Sequence, residues 1–252
     1  MKTENPELIV FQEDEIALGY PYLSETKNLP SDIAVKSYEF DLEDVRNEFH
    51  IIGGNPRLQT VLYKHPYQEN TYINGDIDNI ESFFLKEKLN LYMDFGRLLG
   101  AKSINVKVTS FKSEEREMDA SGEVKYKVVN IDSSYKKEEE KKLTSTIEIS
   151  KEYEKSDNFN LCNNIDELKK RIDNLNLYHE TELVSLVRER DSRDGGVFNS
   201  KTRVKSTITS EYRRASEFAF NLAATPVFEL NSKVKNSVKN VNEIEVDIEF
   251  IF

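Results

Sequence analysis

From Glu243 to its last residue the chain alternates with a period of two. Ile244, Val246, Ile248, Phe250 and Phe252 share one parity, and Glu243, Glu245, Asp247 and Glu249 the other. Successive side chains of a strand point to opposite faces, so residues 243 to 252 are predicted to form a strand with one face in a core and the other in water. The same period recurs upstream, where Ile104, Val106 and Val108 alternate with Asn105, Lys107 and Thr109. Val124, Tyr126 and Val128 alternate with lysines, while Leu143, Ile147 and Ile149 share parity with Tyr153. Val129 and Ile131 reverse the parity of Val128, which a β-bulge accommodates by adding one residue. The turn 120 to 122 and an exposed tip at 136 to 142 (KKEEEKK) complete a predicted hairpin system over 102 to 153.

Other segments follow the helical period. Residues 76 to 99 carry Ile77, Ile80, Phe84, Leu91, Phe95 and Leu98 near a 3.6-residue repeat, with Asp78 and Glu81 at capping-box spacing and Gly100 as the stop. The apolar surface is wider than one stripe, so this helix is expected to be packed on two sides. A narrower helix is predicted over 164 to 177, and a short one over 41 to 49 with Asp41 as N-cap and Gly53 and Gly54 as its stop. Strands are expected again at 182 to 190, 202 to 212 and 227 to 235, with the loop 191 to 196 as a turn. Strands grouped on either side of helices, without a helix after every strand, predict an α+β fold. It is expected to be a mainly antiparallel sheet with long hairpins and two to three packed helices. At 252 residues the chain is predicted to be one domain, 1 to 252, with an N-terminal subregion of short strands and a short helix over 1 to 75.

Composition narrows the partners. No apolar run reaches the roughly 18 residues of a membrane helix, and the first ten residues lack the pattern of a secretory leader. The single cysteine, Cys162, excludes an intramolecular disulfide framework; together these features predict a cytoplasmic protein. A net charge of -11 disfavours general nucleic-acid affinity, which rests on neutralising phosphates. The charge is divided, however: residues 188 to 240 hold eleven basic and six acidic side chains, +5 against -16 for the remainder. Within that stretch Arg203, Lys205, Arg213 and Arg214 are the candidate contact residues for an acidic partner or another protomer, because Arg203 and Lys205 share the wetter face of their strand.

Signatures of chemistry are sparse. There is no phosphate-binding glycine loop, no nucleophile elbow, and HETEL at 179 to 183 lacks the second histidine of a zinc helix. His179 with Glu182 is the acid/base candidate; on a strand, His179 and Glu180 would point to opposite faces. The loop from Asp191 to Gly196 lacks the spacing of a calcium loop. The cluster His65, Pro66, Tyr67 and Tyr72 is expected to be core packing. No catalytic residue, metal or cofactor is predicted.

The amphipathic hairpin patterns over 102 to 153 and 200 to 252, separated by helical segments, look like the layout of soluble pore-forming proteins that refold into membrane barrels. That resemblance implies membrane engagement through the hairpins, with Lys125, Lys127, Lys205, Lys233 and Lys235 turned to the lumen, since a cation on the lipid face at mid-membrane costs roughly 2 to 4 kcal/mol. Three readings of function follow. The first is a non-catalytic interaction or assembly protein, acting on a protein partner or on itself through a β-rich surface with a basic C-terminal stretch. The second is a pore-forming type of effector, and the third an enzyme with an unrecognised site.

Overall fold

The computed structural model describes residues 5–22, 32–111, 116–118, 124–126, 143–154, 159–195, 198–207, 209–225, 227–239 and 243–252. Along the chain these form β1 (Leu8–Gln12), α1 (Asp14–Gly19), β2 (Ile33–Ser37), α2 (Leu42–Glu48), β3 (His50–Ile52), β4 (Val61–Lys64) and β5 (Thr71–Asn74). Then come α3 (Ile80–Leu98), β6 (Ser103–Phe111), β7 (Arg116–Met118), β8 (Val124–Tyr126) and β9 (Leu143–Glu152). The chain continues through α4 (Leu161–Asn174), α5 (Thr181–Arg190), β10 (Lys201–Thr207), α6 (Thr209–Ala224), α7 (Ser232–Lys239) and β11 (Glu243–Ile251). The class is α+β, with seven α-helices among the described residues and two larger sheets that are mostly antiparallel.

The elements gather into two compact units, one of Met1–Glu81, Ser113–Glu140 and Thr209–Val241, the other of Ser82–Lys112, Lys141–Ile208 and Asn242–Phe252. In the first, a five-stranded sheet runs β2-β1-β4-β5-β3, antiparallel in its middle and parallel at its two edges. Its central strands are apolar because both of their faces are covered: β1 is buried at all five positions and β5 at all four. On one side Ile9, Phe11, Leu62 and Tyr72 meet Val45 and Phe49, from α2 and its end. Asn231 precedes α7 and caps it by accepting the Val234 N–H at 3.0 Å, while its Nδ2 donates to Asp76 Oδ1 at 2.5 Å.

The second unit holds an antiparallel sheet in the order β10-β11-β6-β9. Its inner face is the predicted one: Ile104, Val106, Val108, Val204, Ile244, Val246, Ile248 and Phe250 are all buried. α3 lies against this face. It ends as its glycine requires: Gly100 takes φ +84°, its N–H donates to Arg97 O at 3.0 Å, and the Ala101 N–H reaches Gly96 O at 2.9 Å. This paired arrangement satisfies carbonyls left over at the helix end. The start is later than predicted, because Asn79 at φ +57° cannot continue a helix backwards.

Several expectations are corrected. Residues 182 to 190 form α5 rather than a strand, since Leu183, Leu186 and Val187 are buried at helical spacing. The strand expected over 202 to 212 ends at Thr207 and α6 begins at Thr209, so residues 200 to 252 are strand, two helices and strand, not a hairpin. The strand expected over 227 to 235 is replaced by a capped α7. There are thus more helices than the two to three foreseen. Asp41 turns its carboxylate back to the Ser37 N–H (2.8 Å) and does not cap α2, and Gly53 and Gly54 form the turn after β3. The turn 120 to 122, the bulge expected at 128 to 131 and the tip 136 to 142 lie outside the described residues.

Candidate functional site

The wet face of the four-stranded sheet is built by parity alone. Positions opposite the inner valines and isoleucines carry Lys201, Arg203 and Lys205 on β10, Glu245, Asp247 and Glu249 on β11, Asn105 and Lys107 on β6, and Glu148 and Ser150 on β9. They pair across strands. Lys201 Nζ lies 2.7 Å from Glu249 Oε1, Arg203 clasps Asp247 through Nε (2.6 Å) and Nη2, and Lys107 Nζ lies 3.9 Å from Glu148 Oε1. Asn105 donates to Glu249 at 3.5 Å and accepts from the Ser150 hydroxyl at 2.6 Å. The pairing shows in the protonation equilibria: the Arg203 hydrogen bond holds the Asp247 carboxyl below its ordinary value, and Lys201 does the same for Glu249. Exposed pairs of this kind fix register more than they add stability.

This geometry places two of the four candidate contact residues. Arg203 and Lys205 sit together on β10, both exposed, with Arg203 bound to Asp247 and Lys205 in register with it. The basic stretch therefore meets acids from β11 within its own sheet. Arg213 and Arg214 lie on α6, not on the expected strand, and their side chains lie outside the described residues.

His179 and Glu182 also fall on helical elements. His179 ends a 3-10 turn, Leu177–His179, with Nδ1 3.0 Å from Asn176 O, and Glu182 lies in the first turn of α5; both are exposed. The residue between them is the buried one. Glu180 receives the Lys88 ammonium at 3.1 Å and the Tyr92 hydroxyl at 2.9 Å, with all three side chains removed from solvent. Burial and the Glu180 charge push the Tyr92 phenol far above its usual range. Such a set is closed to substrate and acts as a polar tie between α3 and the start of α5.

A second tie sits past the end of α5. Asp191, buried, accepts from Arg193 Nε at 2.9 Å and from Lys169 Nζ at 2.9 Å, and Arg193 also reaches Asp166 at 2.7 Å. The Arg193 guanidinium holds the Asp191 carboxyl far below the carboxylate range. The loop 191 to 195 is thus a locked turn, with Gly195 at φ +77°. Among the described residues no three His, Cys, Asp or Glu side chains converge on a metal position, and no helix is long and apolar enough to cross a membrane.

Comparison with protein families, with curated proteins and with solved structures gives no match. Function must come from the surfaces themselves.

Sequence reasoning missed Glu180 and Asp191 as buried charges. A helical reading of 181 to 190 would have put Glu180 next to the buried Leu183, and the nearby lysines and arginines would have supplied its class of partner.

Proposed function

We propose that the protein is a non-catalytic interaction or assembly protein that joins a protein partner, or a second copy of itself, through its four-stranded sheet. The observation that carries this reading is β9. Among the described strands it closes one side of the sheet, it runs for ten residues without a proline, and Ile147 is 51% exposed although its in-register neighbour Val108 is buried. A long edge without proline and with an exposed β-branched side chain is a surface on which another strand can add. The buried charges agree with it, because Lys88, Glu180 and Asp191 are committed to partners inside their own unit. The ionic face beside the edge supplies charge for encounter, with Arg203 and Lys205 on the opposite edge strand.

Native mass measurement of the full chain in extract of its own cells tests the reading. A discrete complex is expected, lost on Ile147→Asp. Reversing Arg203 and Lys205 to glutamate is expected to slow association, with the difference shrinking as salt shortens the screening length below about 8 to 10 Å. Circular dichroism of each variant verifies the fold. A free monomer in every preparation, or complexes indifferent to both variants, defeats the proposal.

A further inference from the structure

Two helices of the second unit face each other with matched sets. α4 presents Lys169, Ile172 and Asp173, and α5 presents Val184, Val187 and Arg188, each set spaced i, i+3, i+4 so that it lines one stripe. Between them, with Tyr178 as a third wall, lies a cleft of about 250 Å³. We propose that this cleft binds a small organic monocarboxylate with an apolar body. The inference is independent of the assembly reading.

The floor is apolar, since Ile172 and Val187 are buried and Val184 half-buried. Polarity is divided between the two ends. At one end the Tyr178 hydroxyl donates to Asp173, which steadies an aromatic ring that is 59% exposed and consumes acceptor capacity of the acid. At the other end stand the cations. Lys169 bonds to Asp191, the residue following α5, so Lys169 and the last turn of α5 share an end with Arg188.

Arg188 decides the ligand class. Its neighbour Arg190 is engaged elsewhere: it donates to the Asn199 and Leu99 carbonyls and stacks 3.9 Å above the Phe252 ring. The Arg188 side chain, by contrast, is exposed at the cleft with no hydrogen-bond or ion-pair partner among the described residues. A planar guanidinium with free donors matches a carboxylate in two-point fashion. Asp173 and Asp191 nearby disfavour a dianion such as a phosphate monoester, and the apolar floor disfavours a ligand that is all charge. The volume lies just under the range of drug-sized sites, so the ligand is of fragment size, about ten non-hydrogen atoms.

The test is an amide ¹H–¹⁵N titration of the full chain with 3-phenylpropanoate, beside 3-phenylpropylamine as the charge-reversed probe. Saturable shifts confined to residues 169 to 188 are expected with the acid, with a Kd on the order of 1 mM or tighter for so small a ligand. The amine should give none. Arg188→Gln, a change at an exposed position that leaves the fold intact, should weaken the acid at least tenfold, and Val184→Glu should abolish binding. Unsaturable or scattered shifts, equal binding of the amine, or an Arg188→Gln protein that binds like the parent each overturn the proposal.

Discussion

Lys88 places its Nζ 3.1 Å from Glu180 Oε1, with the two side chains only 5% and 4% exposed. Two charges out of water in contact need each other far more than the fold needs the pair. Lys88→Met alone takes the ammonium away from the buried Glu180 carboxylate and is expected to cost about 3 to 5 kcal/mol in denaturant unfolding. Adding Glu180→Gln, which keeps an acceptor for the Tyr92 hydroxyl, is expected to restore most of that loss. Independent, additive effects of the two substitutions would show that the charges are not coupled.

His65 makes stability depend on pH in the first unit. Burial lowers its pKa from 6.5 to about 4, and its Nδ1 accepts the Tyr67 N–H at 3.1 Å, so the folded ring is neutral where an unfolded one takes up a proton. The folded value is the lower of the two. The stability it carries is therefore complete above about pH 6.5 and is lost as pH falls toward 4. At about 1.4 kcal/mol per pKa unit the loss is at most roughly 3.5 kcal/mol. His65→Gln, which can still accept the Tyr67 N–H, should flatten the melting temperature between pH 7 and 4 relative to the parent. Parallel curves would refute the assignment.

What the sequence discloses follows from how each element is buried. β11 and β6 are legible because one face is core and the other wet, which writes a period of two into Ile244 to Phe250 and Ile104 to Val108. α5 is misread for a physical reason: Leu183 to Val187 is a short, nearly continuous apolar run of the kind that a buried strand and a buried helix share, and the helical spacing of Leu183, Leu186 and Val187 carries weight only once they are packed. α7 is misread because Lys233, Val234 and Lys235 mimic alternation, while the signal against it is Asn231 as a cap. The charge asymmetry is real in the sequence but is met inside one sheet, where β11 brings Asp247 and Glu249 to Arg203 and Lys201. No local pattern encodes such a meeting, just as none encodes Lys88 against Glu180.

Gly96 gives the sharpest test of how α3 lies on its sheet. A Cβ built at this position would stand 2.5 Å from the Phe250 ring and 2.7 Å from Ile104 Cδ1, closer than carbon atoms approach. Helix propensity argues the other way, since alanine gains about 1 kcal/mol over glycine within a helix. The two effects have opposite signs, so the measured sign decides. Phe250 is fully buried in the central strand β11 and Ile104 in its neighbour β6, leaving little room for either to retreat. Overpacking of a filled core costs about 1 to 3 kcal/mol. Gly96→Ala is therefore expected to destabilise the protein, and pairing it with Phe250→Leu, which vacates part of the ring's space, should recover part of the loss. A Gly96→Ala protein more stable than the parent would mean that the helix stands off the sheet by more than the volume of a methyl group.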